Sequence, residues 1–367
     1  MLTVSVIKLR RAYQKKGDTM NRYSMGVDFG NADCNAVVID QSGHECGRIS
    51  VPSLTSVGSL EMLRSSDYGS LKEGDYVITD ASNSQFVGSL AARQGDMPSS
   101  GLGDTGRYWS ERARQLLLTV SRALIPDSEY DLVVVTGLPI AVYREDAAAA
   151  KRKVRKMLDG THEFCLNDRS GIAHVTVASI AMEGAGAIIS PDMSRARQGV
   201  IDIGQFTTDL AAFNGAEPLV RFCQGFRQGV ETTHREFTDQ FRLKFSMTPD
   251  RHEVRAAFYQ YVNSRRIDSM WVRGLEIKSP ELRELIKSAI DRAGTAIIAT
   301  IATIWNESLM GEVAANFARV LVLGGGSYLF MPHIQSRIPN AQRMPEPEYQ
   351  NALGYARLAQ RAAERMS

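Results

Sequence analysis

The chain has 367 residues, a formal net charge of +2, 44% hydrophobic and 23% charged residues; this is more than one core usually serves, so two domains are expected. The near-neutral charge excludes a strong global pull toward nucleic acid or anionic membrane, and no apolar run reaches the ~20 residues of a membrane helix. The four cysteines (Cys34, Cys46, Cys165, Cys223) form no CxxC pair and the six histidines no HxxxH cluster, which argues against disulfide and zinc frameworks and for a cytoplasmic location.

Residues 1–24 carry Lys8, Arg10, Arg11, Lys15, Lys16 and Arg22 against the single acid Asp18. No apolar h-region and cleavage site follow, so the stretch reads as a basic N-terminal extension, disordered or lying ahead of a natural start at Met20. An arm touching DNA or membrane is the alternative. Residues 24–35 then place a strand before Asp28-Phe29-Gly30 and a small polar turn, and an apolar run resumes at 36–39, closed by the hairpin signal Asp40-Gln41-Ser42-Gly43. Residues 50–106 are rich in Ser and Gly, with a strand at 76–79. Gly101-Leu102-Gly103-Asp104-Thr105-Gly106 satisfies GxGxxG, yet loop residues stand where a dinucleotide fold needs a strand, and Arg107-Tyr108 stands where a Walker loop needs Lys-Ser/Thr. It reads as a loop before a helix at about 107–124, in which Trp109, Ala113, Leu116, Leu117, Val120 and Leu124 recur at helical spacing.

A buried strand at 131–139, a basic helix with a solvated face at 147–158 and a strand at 173–177 come next. The small-residue segment 181–189 is expected to start a helix. The organising stretch is Gly199-Val200-Ile201-Asp202-Ile203-Gly204-Gln205-Phe206-Thr207-Thr208-Asp209. A buried strand delivers Asp202 to its end, and the following turn offers a conformationally free Gly, backbone N–H groups and hydroxyls; that chemistry suits a polyphosphate with a bound cation. The Asp28-Phe29-Gly30 turn echoes this plan, so two similar halves are expected to face one ligand. Asn214-Gly215 marks a hairpin. Helices follow at 229–245 and 251–262, and one long helix at 281–308. The strand at 320–323 feeds Gly324-Gly325-Gly326-Ser327, where the absence of side chains lets a flat ring or a phosphate come close. An amphipathic helix at 349–365 closes the chain.

Asp28-Phe29-Gly30, then Asp202 to Asp209, then Gly324 to Ser327 is the order of the phosphate-1, phosphate-2 and adenosine motifs of the actin, Hsp70 and sugar-kinase ATPase superfamily, which the chain resembles. The 133–139 strand and turn, the basic helix after it and Asn351-Ala352-Leu353-Gly354-Tyr355 resemble the bacterial actin-like plasmid-segregation ATPases of the ParM/StbA type. The resemblance covers about residues 25–360 and is weakest over 50–106 and 246–280.

It implies a two-domain α/β, actin-like (duplicated ribonuclease H-like) fold: domain I at 25–177 with a smaller subdomain at 50–106, domain II at 178–342 with a smaller subdomain at 214–290, and a C-terminal helix at 343–367 returning to domain I. ATP, or GTP in its place, and Mg²⁺ would lie in the interdomain cleft. The phosphate loops would be Asp28, Gly30, Asn31, Ala32, Asp33 and Asn35, and Gly204, Gln205, Phe206, Thr207 and Thr208. Asp28 and Asp202 would hold the cation through waters. Gly324, Gly325, Gly326 and Ser327 would lie against adenosine, and Gly229 with Glu231 at a helix start would meet the ribose. Glu183 best matches the water-orienting Glu of this family, with Met182 where the family often has Pro. Thr207 and Thr208 also suit a strand, and Asp209 suits a turn carboxylate as well as a ligand. The implied function is an ATPase forming nucleotide-dependent filaments for plasmid or other DNA segregation. Its DNA contact would run through a DNA-binding adaptor, because no recognition helix or basic stripe is present. A cytoskeletal scaffold positioning an organelle or the cell-shape machinery, and a non-polymerising kinase of the superfamily, are the alternatives.

Overall fold

The computed structural model describes residues 20–65, 71–81, 83–95, 105–189, 196–306 and 313–366. Residues 1–19 of the basic extension, 101–104 of the GxGxxG loop and the last residues of the expected 281–308 helix lie outside them. Nine strands form the first sheet: β1 (Arg22–Phe29), β2 (Asp33–Ile39), β3 (Glu45–Pro52), β4 (Thr55–Val57), β5 (Tyr76–Asp80), β6 (Ser84–Val87), β7 (Glu129–Leu138), β8 (Gly160–Leu166) and β9 (Arg169–Met182), in the spatial order β3-β2-β1-β7-β9-β8-β5-β6-β4. The second sheet runs β12-β11-β10-β16-β17, built from β10 (Arg197–Ile203), β11 (Thr208–Asn214), β12 (Glu217–Pro218), β16 (Arg319–Leu323) and β17 (Ala341–Arg343), with β13 (Gln224–Phe226) also on β11. A separate hairpin joins β14 (Ser269–Val272) to β15 (Leu275–Lys278). Because β9 carries the first sheet to Met182, its pairing passes the boundary expected at 177.

The helices are α1 (Leu60–Ser65), α2 (Ser89–Gln94), α3 (Glu111–Leu124), α4 (Ile140–Leu158), α5 (Val230–Phe245), α6 (Arg251–Ser264), α7 (Glu281–Trp305), α8 (Ser327–Arg337) and α9 (Gln350–Met366). Local chemistry sets several starts. The Ser110 hydroxyl accepts from the Ala113 N–H, so α3 begins at Glu111 and the residues before it, Thr105–Trp109, form a 3-10 turn rather than the expected first helical turns. Asp250 and Glu253 form a reciprocal capping box at the start of α6. The expected helix start at 181–189 is also revised. Residues 181 and 182 complete β9, Gly184 turns the chain at φ +85°, and only Ala185–Ile188 coils, as a 3-10 turn.

Two cores result. Tyr23, Met25, Val27, Leu116, Leu117, Val120 and Val134 pack between the first sheet and α3, whereas Phe237, Phe241, Phe258, Ile286, Ile297 and Trp305 pack α5, α6 and α7 against the second. β7 is buried along almost its whole length, as befits a central parallel strand. Helix α9 ties the halves together. It lies so close to β1 that a Cβ on Gly26 would fall 1.9 Å from the Ala352 carbonyl oxygen, and only glycine fits there. No helix among the described residues is long and apolar enough to cross a membrane.

Candidate active site

Four strands of the parallel pairings β1–β7–β9 and β10–β16, namely β1, β9, β10 and β16, end at one cleft of about 590 Å³. Open α/β sheets bind ligands beyond the carboxyl ends of such strands. Asp28 and Asp202 each stand one residue before the end of their strands, β1 and β10, while Glu183 follows β9 and Gly324 follows β16. The two Asp-X-Gly turns are built alike: each joins an antiparallel pair, with Asp28 opposite Asn35 in the first and Asp202 opposite Asp209 in the second. The first turn is braced from behind by Ser53, whose N–H and hydroxyl donate to the carbonyls of Ala32 and Gly30 at 2.8 and 2.7 Å. The second closes through the Gly204 N–H to the Thr207 carbonyl, 2.9 Å. The carbonyls of Gly204 and Gln205 receive the first amides of α5, from Val230 and Glu231. The helix start is therefore spent on shaping the turn.

Asn351, on α9, joins the two turns. Its Nδ2 donates to Asp202 Oδ2 at 2.7 Å and to Asp28 Oδ2 at 3.5 Å, and its Oδ1 accepts from the Gly184 N–H at 3.2 Å. Asp209, opposite Asp202, accepts from the Ile140 N–H at 3.3 Å and so reaches the start of α4 in the other half. Four carboxylates thus share one buried space. Burial first, then the charges of Asp28 and Asp209, push Asp202 up to about 8. Burial pushes Asp28 and Asp209 to about 6, against hydrogen bonds from Asn351 and Ile140 respectively and the Arg107 charge. Glu183 is driven well above the carboxylate range by burial and by the Asp209 and Asp28 charges. Such a donor set favours a cation. Among the described residues no three His, Cys, Asp or Glu side chains are arranged to hold a metal ion; Asp28 and Asp202 are the two carboxylates that could serve a hard ion keeping most of its waters.

Asp28, Gly30, Asn31, Ala32, Asp33, Asn35, Glu183, Asp202, Gly204, Gln205, Thr207 and Gly324 to Gly326 all line this cleft. The other expected site residues stand apart from its lining. Thr208 is fully buried and donates its hydroxyl to the Gln228 carbonyl at 2.8 Å, because strand alternation turns it away from the face that Asp209 presents. Ser327 is buried inside the start of α8. The Phe206 ring lies under the Arg251 guanidinium, 5.1 Å away, and Gly229 abuts the backbone of Gly204 and Gln205. Glu231 accepts from Gln205 Nε2 at 2.8 Å. Burial would raise its pKa, but hydrogen bonds from His234 and Gln205 and the Arg251 charge bring it down to about 2. Gly324 adopts φ +77° and a Cβ there would run into the Ile203 carbonyl, whereas a Cβ on Gly325 would meet nothing within 4 Å. The glycine run therefore has one residue that shapes the loop and one that opens the cleft wall.

Sequence reasoning missed Arg107, His234, Arg255 and Glu348, all of which line the cleft, and the role of Asn351. The Asp209 position was readable from period-two alternation. The others depend on tertiary placement. Arg255 of α6 reaches across to Asp33 at 2.9 Å, bridging elements 222 residues apart.

Residues 26–186 match the family model "Actin like proteins N terminal domain". No curated protein matches the chain at the sequence level. Among solved structures, the native crystal structure of the archaeal actin homolog Ta0583 superposes with a TM-score of 0.71 at 20% identity, covering 92% of this chain and 99% of that one. The 15-stranded ParM filament from Clostridium botulinum gives 0.70 at 22% identity over 93% and 100%. Bacillus thuringiensis ParM with ATP gives 0.66 at 14% identity over 95% and 100%. The chain thus has the actin-like fold seen in Ta0583 and ParM, and its residues 26–186 match the actin-like N-terminal domain.

Proposed function

We propose that the chain binds ATP in the cleft, hydrolyses it, and uses the bound state to form filaments that move plasmid or similar DNA through an adaptor. The observation that carries the nucleotide reading is Asn351, one buried side chain hydrogen-bonded to both Asp28 and Asp202, which makes the two turns two sides of one binding space. Asp28 and Asp202 would hold Mg²⁺ through its waters. When bound, that ion supplies charge neutralisation at the β- and γ-phosphate oxygens. The amides of the first turn, from Gly30 to Asp33, and of the second, from Gly204 to Thr207, orient the phosphates. Gly324 to Gly326 and Tyr328 form the wall for the nucleoside, with Tyr328 fixed by its hydroxyl to Glu348 at 3.1 Å.

Phosphoryl transfer asks the protein mainly for positioning and electrostatics. Glu183, directly after β9, would orient the attacking water, and Tyr108 donates a hydrogen bond of 3.3 Å to it. The filament reading is supported by the fold shared with the C. botulinum ParM filament; head-to-tail contacts between unlike surfaces generate open polymers. A net charge of +2 gives no reason for direct DNA contact, so an adaptor is expected. Isothermal titration with ATP and steady-state phosphate release test the chemistry. Glu183→Ala should bind ATP and lose hydrolysis, and Asp202→Ala should lose Mg²⁺-dependent binding. Normal hydrolysis by Glu183→Ala would remove the water-orienting role, and unchanged Mg²⁺-dependent binding by Asp202→Ala would remove the cation site.

A further inference from the structure

Arg107 lines the same cleft as the two turns. It belongs to the 3-10 turn Thr105–Trp109, which Ser110 anchors to α3 by donating its hydroxyl to the Arg107 carbonyl at 2.8 Å. One end of its guanidinium donates to the Tyr108 phenol oxygen, and the group lies over the Tyr108 ring, 4.3 Å from its centroid. Its Nε is buried and has no hydrogen-bond partner. A buried, unpartnered N–H costs about 1–3 kcal/mol, more on a charged group. Among the described residues no side chain meets that cost at Nε, although Asp28, Glu183 and Asp209 all lie within the reach of the Arg107 charge. A guanidinium fork with free donors in a cleft already shaped by two phosphate-type turns matches the oxygens of a phosphoryl group.

Tyr108 links this cation to the water side. It is 1% exposed, and burial together with the Glu183 charge keeps its phenol protonated. Its hydroxyl can therefore accept from Arg107 and donate to Glu183 at the same time. A guanidinium, a phenol and a carboxylate form one hydrogen-bonded chain across the cleft.

We propose that Arg107 contacts the transferring γ-phosphoryl group and stabilises its charge in the transition state, while Tyr108 is the positioning residue that couples it to Glu183. This rests on the ATP-hydrolysis reading above. In the step, the oxygen of a water held by Glu183 bonds to the γ-phosphorus. The bridging P–O bond breaks with its electron pair going to the β-phosphate of ADP, and both of the water's protons end on the inorganic phosphate, formed as H₂PO₄⁻. An arginine supplied within the same chain does for this reaction what a partner's arginine does elsewhere, where it is worth 10³–10⁵ in rate.

The test uses the full chain and the variants Arg107→Lys, Arg107→Ala and Tyr108→Phe. It measures single-turnover hydrolysis, affinity for the non-hydrolysable analogue AMPPNP, and the gain in ADP affinity caused by aluminium fluoride, which mimics the transferring group. Both Arg107 variants should lose at least ~10²-fold in rate while AMPPNP affinity stays within about fivefold, and both should lose the aluminium-fluoride gain. Tyr108→Phe should slow hydrolysis about tenfold and keep that gain. A mere counter-ion for the carboxylates would give other results: rate and AMPPNP affinity falling together, or full activity in Arg107→Lys. Either would overturn the proposal, and if Arg107→Ala does not fold, the lysine variant decides alone. Hydrolysis by the wild type with unaffected Arg107 variants sinks only this inference. A wild-type chain that cannot hydrolyse ATP sinks the function reading, and this inference with it.

Discussion

Replacing Asn351 by Ala removes one side chain that serves three buried groups. Above about pH 8, where Asp202 is ionised, the bond it donates to Asp202 is charge-assisted and worth about 1.5–3 kcal/mol, and the Gly184 N–H it leaves stranded costs a further ~1–3 kcal/mol. The terms share one residue and do not add in full, so a net loss of about 3 kcal/mol is expected. For a chain of 367 residues that is roughly 4 °C in Tm. The loss should be largest in EDTA, where Asp28 and Asp202 repel each other without the donor between them, and smaller with Mg²⁺ and AMPPNP. Asn351→Asp is the sharper companion: it keeps the size and adds a carboxylate to the four, so its Tm should depend more steeply on Mg²⁺ than that of the wild type. Scanning calorimetry on the three proteins, with and without Mg²⁺ and AMPPNP, reads both effects. A Tm for Asn351→Ala within 1 °C of wild type in EDTA would refute the bridging role, as would an Asn351→Asp variant no more Mg²⁺-dependent than the parent.

Neighbouring glycines should respond differently. Gly325→Val, facing open space, should leave stability within about 0.5 kcal/mol and reduce AMPPNP affinity at least ~10-fold. Gly324→Val, at φ +77° with its Cβ 2.4 Å from the Ile203 carbonyl oxygen, should lose ~3 kcal/mol or more of stability; equal behaviour of the two in calorimetry and titration would contradict the loop geometry. Asp202 at about 8 and Asp28 and Asp209 at about 6 lie above their unfolded values near 3.9. Their contribution to stability is full below about pH 4 and is lost as pH rises through 6 and then 8. In EDTA the Tm should therefore fall across that range, and Mg²⁺ with AMPPNP should flatten the decline; a Tm that rises instead shows the carboxylates are not crowded as described. The Arg255–Asp33 pair spans the cleft at 2.9 Å, but its arginine side chain is 54% exposed, so Arg255→Ala should cost less than ~1 kcal/mol in urea unfolding; a loss beyond 2 kcal/mol would mean the pair locks the halves together.

Much of the cleft was legible because its chemistry is local. A buried strand ending in Asp, then a glycine turn, is a short-range pattern, and both copies fold as hairpins with the carboxylate at the mouth. The Gly324 run was legible for the same reason, since β16 feeds it directly. Other features failed locally. Residues 181–189 carry helix-compatible small residues, but the pairing of β9 with β7 extends the strand to Met182 and leaves Glu183 at a strand end. β8 and the β14–β15 hairpin are short and mix exposed with buried residues, so their periodicity is weak. Arg107 sat beside a loop set aside as matching no phosphate motif; Ser110 before Glu111 offered a cap signal for α3, but that the arginine faces the cleft depends on tertiary placement. Asn351 was visible as a motif but not as a bridge, because its partners lie 149 and 323 residues away.

The central claim is that nucleotide in this cleft controls self-assembly, and sedimentation with light scattering of the purified chain in ATP, ADP or no nucleotide tests it most directly. The account predicts pelleting with Mg²⁺ and ATP that decays as ATP is consumed, and persistent polymer for Glu183→Ala in ATP. No ATP-dependent pelleting at high protein concentration, by either protein, would contradict it.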